Sequence, residues 1–176
     1  MPKTPRPAAL APHQRTGALS PKQLADAGAV PPEERLAAGP VVMVECIENI
    51  PCNPCAYACP RKAINIEGEL TDTPKVDHSK CNGCTVCIAK CPGLAIFVVD
   101  RDFSKTEATV TLPYELLPRP EVGKSVVCLD RAGKAVCRGK VVKVLDTRAM
   151  NRCAVVTVAV PKRYWNTVRS IKVRTT

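Results

Sequence analysis

The chain has 176 residues, which is enough for one ordinary domain or two small ones, and carries a formal net charge of +10 with only 3% aromatic residues. Eleven cysteines would indicate disulfides in a small secreted protein, but the first residues are rich in proline and charge and lack the apolar core of a secretory signal. No stretch approaches the ~18 apolar residues of a membrane span. We therefore expect a protein of the reducing cytoplasm that does not contact the membrane.

Residues 1–40 contain eight prolines and are predicted to form an extended, Pro-rich arm. Ser20 is a candidate N-cap of a short helix, with Pro21 at the first helical position and Leu24 on the inner face. A second short helix is predicted within residues 32–39, which begin with proline and acids and end with glycine. Such an arm is either a loose tail or a segment that orders across a partner subunit.

The next segment carries a cysteine run of the form C-x2-C-x2-C-x3-C-P, from Cys81 to Pro92. This spacing is typical of [4Fe–4S] ligands, and its fourth cysteine binds a second cluster. A shift of 32 residues places the last three cysteines and the following Ala-Ile pair on equivalents earlier in the chain, which are Cys52, Cys55, Cys59, Ala63 and Ile64. The sequence therefore contains an internal repeat and predicts two clusters.

The first run departs from the repeat at its first ligand. Cys81 corresponds to Asn49, and the nearest cysteine is Cys46, three residues earlier. A five-residue loop could still return Cys46 to its cluster. Otherwise Cys46 is a buried thiol, and its site holds a three-iron [3Fe–4S] cluster or a non-cysteine ligand such as Glu48.

Cross-ligation divides the eight cysteines into two groups. The group expected to hold cluster one is Cys46, Cys52, Cys55 and Cys91. The group expected to hold cluster two is Cys81, Cys84, Cys87 and Cys59. Gly83 suits a tight ligand loop with positive φ. Tyr57 and Phe97 are close to ligands in sequence, and we expect them to shield the clusters from water.

Short strands are expected to enclose the two runs. Val41–Val44 is predicted to be a buried strand that leads into the first run, and residues 63–67 and 95–99 are predicted strands after the two Cys-Pro pairs. With helical turns between them, these strands predict a ferredoxin-like (βαβ)2 module over residues 41–104. Because this module has little apolar core of its own, we expect it to fold poorly without metal.

The chain changes character after residue 104, and residues 101–176 carry 16 basic and 6 acidic side chains. The predicted strands are residues 108–112, 125–130, 135–145, 153–160 and 168–174. A turn at residues 131–134 joins the second and third strands. Strands at such short intervals predict a small all-β barrel or sandwich. The basic residues form either a solvated face or a docking surface for an acidic partner, and the scarcity of aromatics argues against nucleic acid.

Three cysteines of this last segment, Cys128, Cys137 and Cys153, lie within apolar β runs and show no pairing rule. Unpaired cysteine is among the most buried residue types, so we expect these three to be core residues and not ligands of a third metal centre.

Residues 41–100 resemble bacterial dicluster [4Fe–4S] ferredoxins through the two runs that end in Cys-Pro. The stretch Ile50-Pro51-Cys52-Asn53-Pro54-Cys55 and residues 91–100 look like the ferredoxin-like subunits of multisubunit flavin-dependent dehydrogenases of proline, opines and related amines. This resemblance implies a hetero-oligomer with flavoprotein dehydrogenase subunits. In that family the subunit relays electrons and binds no small-molecule substrate of its own.

The expected protein is therefore α+β, with a Pro-rich arm over residues 1–40, a dicluster ferredoxin domain over 41–104 and a basic β-barrel-like domain over 105–176. No paired base and nucleophile, G-x-G-x-x-G or phosphate loop is present, so we expect electron transfer without catalytic residues. The alternatives are a free diffusible ferredoxin, a scaffold whose clusters never change redox state, and a zinc-binding nucleic-acid-binding protein that uses the C-x2-C pairs.

Overall fold

The computed structural model describes residues 12–47 and 49–173, and the alternative ligand Glu48 lies outside these ranges. The helices are short, namely α1 (Pro12–Thr16), α2 (Pro21–Asp26), α3 (Glu33–Ala37) and α4 (Pro54–Ala58), with 3₁₀ turns at Ile88–Lys90, Arg148–Met150 and Lys162–Tyr164. None of the helices in the described ranges is long and apolar enough to cross a membrane.

Nine strands make up the sheets of the described residues. They are β1 (Val41–Val44), β2 (Ile64–Asn65), β3 (Lys75–Val76), β4 (Ile96–Asp100), β5 (Glu107–Tyr114), β6 (Ser125–Leu129), β7 (Ala135–Leu145), β8 (Ala154–Pro161) and β9 (Ser170–Lys172). Seven of them form one antiparallel sheet in the order β1-β4-β5-β8-β7-β6-β9, while β2 and β3 form a separate ribbon. The α+β class agrees with the sequence prediction, and the strands other than β3 lie within a few residues of their predicted positions, whereas β3 had no predicted counterpart.

The sheet differs from the prediction in its continuity. Residues 105–176 were expected to form a barrel or sandwich of their own, but β4 pairs with β5 across the predicted boundary, with Val98 opposite Thr111. The four apolar residues of β1 are buried on both faces, so β1 and β4 extend the C-terminal strands instead of closing a separate module. The division of the chain into three domains stays a prediction.

Strands β1 and β4 lie between two hydrophobic cores because successive side chains of a strand point to opposite faces. On one face Met43 and Val99 join the main core, which β5–β9 complete. On the other face Val42 and Val98 join a second core that contains the thiols of Cys55 and Cys87, and we call it the cluster-side core. The same two strands therefore hold the β-rich segment and the cysteine loops together.

The described part of the arm packs against its own chain. The predicted N-cap of α2 is confirmed, since the Ser20 hydroxyl accepts from the Gln23 N–H and the Gln23 side chain accepts from the Ser20 N–H. Leu24 is fully buried, and Leu36 of α3 packs in the main core. Whether the arm also contacts a partner subunit stays a prediction.

Candidate iron–sulfur centres

The thiols predicted to hold cluster one lie together in the structure. The pKa of the Cys55 thiol is raised to about 11, chiefly by burial and also by charge repulsion from the nearby thiols of Cys91, Cys46 and Cys52, while a backbone hydrogen bond from Ala56 lowers it. Cys46, Cys52 and Cys91 also line one cavity. Cys46, which is displaced by three residues from its position in the repeat, therefore lies with the other three thiols of its group. This position is what a role as the fourth thiol ligand requires.

The thiols predicted to hold cluster two also converge. Cys59, Cys81, Cys84 and Cys87 line a single cavity. The pKa of the Cys87 thiol is raised to about 12, chiefly by burial and also by charge repulsion from the other three thiols. The groups formed in space match those assigned by cross-ligation, although the ligand roles themselves stay predictions.

The internal repeat extends to the backbone around the last cysteine of each run. The Ala63 N–H donates to Cys59 Sγ at 3.2 Å, and the Ala95 N–H donates to Cys91 Sγ at 3.4 Å. The Gly83 N–H donates to Cys81 Sγ at 3.4 Å. Hydrogen bonds of this kind stabilise thiolate sulfur and help to set the potential of a bound cluster.

The repeat also has a conformational signature that sequence reasoning missed. Lys62 and Leu94, which are 32 residues apart, adopt left-handed conformations with φ of 50° and 52°. Each N–H donates to the carbonyl of the preceding Cys-Pro cysteine, at 3.0 Å to Cys59 and 3.2 Å to Cys91. Neither residue is a glycine, so only its place in the repeat could have indicated this turn.

The loop of cluster two is held against the arm. Gly83 has a φ of +69°, which confirms the predicted tight loop, and it lies directly against Pro40. The Arg35 guanidinium donates to four backbone oxygens, including Cys81 O at 2.7 Å and His78 O at 3.1 Å. The role of Arg35 had no signal in the sequence apart from its position at the end of a short helix.

The prediction that Tyr57 and Phe97 shield the clusters from water is wrong. The Tyr57 side chain is 93% exposed, because it lies on the outer face of α4. Phe97 is buried, but it faces the main core and not the cysteine loops. The residues that cover the thiols are aliphatic members of the cluster-side core, which are Val42, Ile64, Ile88 and Val98.

A buried ionic group beside Cys46 was also missed. The Glu45 carboxylate lies between the guanidinium groups of Arg131 and Arg169, and we call these three residues the Glu45 triad. Burial alone would raise the pKa of Glu45, but the two arginines outweigh it and lower the pKa. The sequence signal was slight, since Glu45 ends an apolar run and Arg169 interrupts another.

The cysteines of the C-terminal strands lie away from both groups. Cys128 and Cys153 are buried, as predicted, while Cys137 is partly exposed and lies opposite Cys128 on the neighbouring strand. Burial raises the pKa of Cys128 to about 12. No disulfide links any of the eleven cysteines, all of which fall in the described ranges.

The donor chemistry of the two thiol groups fits iron–sulfur clusters. Thiolates hold [4Fe–4S] clusters with one cysteine on each iron, so the four sulfurs surround the cluster and do not converge on one ion. Within residues 12–47 and 49–173, no three His, Cys, Asp or Glu side chains come together closely enough to hold a single metal ion.

Comparison with known proteins identifies the segment that carries the cysteines. Residues 45–95 match the family model of the 4Fe-4S dicluster domain. No curated protein and no solved structure matches the chain. The family match spans both cysteine runs and supports a dicluster domain of the ferredoxin type.

Proposed function

We propose that the chain is the iron–sulfur electron-transfer subunit of a multisubunit flavin-dependent oxidoreductase of the amino-acid or amine dehydrogenase type. The 4Fe-4S dicluster domain supports the electron-transfer role, and the observation that carries the proposal is the convergence of eight cysteines into two groups of four. When bound, two [4Fe–4S] clusters supply single-electron acceptors and donors. The eight predicted ligands would hold them, and the proximity of Cys46 to Cys55 favours four iron atoms over three at cluster one.

The protein's own residues would prepare this environment. The cluster-side core excludes water from Cys55 and Cys87, whose exposed fractions are 8% and 6%. The N–H groups of Ala63, Gly83 and Ala95 supply fixed dipoles to ligand sulfurs. A dry site with fixed dipoles needs little reorganisation when the charge of a cluster changes.

Electrons need a route to the surface, and apolar side chains mark one. Ile50, two residues before Cys52, is 52% exposed, and Val86, between two ligands, is 43% exposed. Cys84 is itself exposed. Ile50 and Val86 lie next to predicted ligands in the chain, and we propose that the flavoprotein subunits approach the two clusters at these exposed side chains.

The basic residues of the C-terminal strands support a second contact with the partner. Arg138 on β7 and Lys172 on β9 both flank Val127 of β6, so they share one face of the sheet, and Lys140 and Lys143 extend it along β7. All four are exposed, and none of them forms an ion pair within the described part of the chain. We propose that this basic face binds an acidic surface of a flavoprotein subunit.

A reducing compartment fits the same proposal. The absence of disulfides among the eleven cysteines agrees with the cytoplasm, where thiols stay reduced. The proposed location can be checked by fractionating the source cells and following the chain with an antibody.

Reduction of the purified protein tests the electron-transfer role. We expect anaerobic dithionite to bleach the visible absorption and to produce about two unpaired electrons per chain by EPR, one for each cluster. Clusters that are present but accept no electron would overturn the proposal and indicate a structural scaffold.

Isolation from the source cells under anaerobic conditions tests the flavoprotein partnership. We expect the chain to elute in a complex that releases flavin on denaturation, and charge reversal at Lys140 and Lys143 should weaken that complex. Reversal of Lys75 and Lys105, two exposed lysines outside both the basic face and the arm, is the matched control. A flavin-free monomer would instead identify a diffusible ferredoxin.

A further inference from the structure

The Glu45 triad connects residues that lie next to β1 and β9, the two edge strands of the seven-stranded sheet. Glu45 directly follows β1, Arg131 follows β6 in the turn to β7, and Arg169 precedes β9. The Arg131 guanidinium donates to both Glu45 oxygens, at 2.8 and 2.7 Å, and Arg169 Nε donates to Glu45 Oε1 at 2.6 Å. Asn166 accepts from both arginines and completes the network. Residues that flank the C-terminal strands therefore hold Glu45, the residue before Cys46.

Glu45 is linked through its backbone to the two chain segments that carry Cys46 and Cys91. Glu45 is bonded to Cys46 in the chain, and its N–H donates to the Ala95 carbonyl at 2.8 Å. The Ala95 N–H in turn donates to Cys91 Sγ. Glu45 also lines the cavity that contains Cys46, Cys52 and Cys91. Glu45 thus links the two arginines, through its carboxylate, to the peptide segments that carry Cys46 and Cys91, through its backbone.

The triad carries a surplus positive charge in a dry place. The exposed fractions of the side chains are 7% for Glu45, 13% for Arg131 and 4% for Arg169. Burial lowers the pKa of Arg169 to about 10, so it remains charged at neutral pH, and the group holds two positive charges and one negative charge. Asp130, the other acid of the neighbouring cavity, accepts instead from the N–H groups of its own turn.

We propose that Arg131 and Arg169 are positioning residues for cluster one, which hold Glu45 and thereby Cys46 in place, and that their surplus charge raises the reduction potential of this cluster. The inference rests on the proposed function. A reduced cluster carries one more negative charge than an oxidised cluster, so a nearby buried positive charge stabilises the reduced form. Charges interact more strongly in a dry site than in water, which favours an effect at cluster one.

Two substitutions that change the net charge of the triad in opposite directions test the inference. Both are made in the intact chain with both clusters assembled. Arg131→Gln removes one positive charge, and we expect the potential of cluster one to fall in an EPR-monitored redox titration. Glu45→Gln removes the negative charge, and the potential should rise. Arg131→Lys keeps the charge and should restore a potential near that of the wild type. Cluster two should change much less and is the internal control.

Arg163→Gln is the matched control, because it makes the same charge change at an exposed position of the Lys162–Tyr164 turn, outside the basic face. If Arg131→Gln loses cluster one while Arg131→Lys retains it, the positioning role is supported. Shifts of the same sign in Arg131→Gln and Glu45→Gln, equal shifts of both clusters or unchanged potentials would overturn the inference while two assembled clusters leave the proposed function intact. A wild-type chain without iron and sulfide would overturn both.

Discussion

Gly83 shows how closely a ligand loop depends on one residue. It adopts a φ of +69°, and a Cβ at this position would lie 2.7 Å from both Cβ and O of Pro40. Pro40 belongs to the backbone segment that Arg35 holds through the oxygens of Gly39 and Pro40, so neither side can move without cost. A side chain at position 83 would therefore displace the loop that carries Cys81 and Cys84.

We expect Gly83→Ala to lower the free energy of unfolding by about 2–4 kcal/mol through strain and steric overlap and to weaken retention of cluster two. Gly133→Ala is the matched control, because Gly133 has a similar φ of +79° but open space at its Cβ. The control should cost about 1 kcal/mol and leave both clusters in place. Denaturant titration and iron analysis measure the two effects, and equal losses in both variants would contradict the steric account.

Cys46 is the residue that decides the composition of cluster one. We expect Cys46→Ser to convert cluster one to a three-iron form or to lose it, since one of four thiolates is removed. Cys137→Ser is the control, because its thiol lies outside both groups. Iron analysis and the EPR spectrum of the oxidised protein show the change. An unchanged iron content in Cys46→Ala, which leaves no side-chain donor to replace the thiolate, would exclude this thiol as a ligand.

At the scale of elements, the cysteine loops contain little structure that could persist alone. Helix α4 has five residues, and the 3₁₀ turn that precedes Cys91 has three. Isolated helices below about 12 residues are marginal in water, and the cluster-side core consists partly of the thiols themselves. Strands β5 and β8, in contrast, pair over eight residues beside the main core.

We therefore expect removal of the clusters to unfold the loops before the sheet. Hydrogen exchange of the chelated protein should show rapid exchange over residues 46–59 and 81–91 and persistent protection of β5 and β8. Loops that keep their protection without iron would contradict the view that the clusters stabilise them.

Helix α3 contacts the loop predicted to hold cluster two through Arg35. Because the guanidinium satisfies backbone oxygens on both sides of the contact, Arg35→Gln should loosen the Cys81 loop and speed the loss of cluster two to a chelator several-fold. Arg15→Gln, at an exposed position of α1, is the control. Equal rates of loss from the two variants would remove Arg35 from the account.

The elements were largely predictable because their signals are local. The start of α2 is predicted by three nearby residues, Ser20, Pro21 and Leu24. The five C-terminal strands are predicted by β-rich runs between turns. The cysteine groups followed from spacing. The Glu45 triad and the Arg35 contacts were not predictable, because they join residues 86, 124 and 46 positions apart. Tyr57 was misassigned because sequence proximity to a ligand does not determine which face of a helix a residue occupies.

At the scale of the whole molecule, the charge is uneven along the chain. Residues 41–100 carry 5 basic and 7 acidic side chains, whereas residues 101–176 carry 16 and 6. The basic face lies on the exposed side of β6, β7 and β9, whereas the thiol groups border the cluster-side core beside β1 and β4. This arrangement favours a subunit whose basic face binds the partner while the surface near the thiol groups exchanges electrons.

The direct test of this account is the content of iron, acid-labile sulfide and zinc per chain after anaerobic purification. We predict about eight irons and eight sulfides, which corresponds to two [4Fe–4S] clusters with Cys46 as a ligand. About seven irons would correct cluster one to a three-iron centre. Zinc without sulfide would contradict the account and would identify a zinc-binding protein.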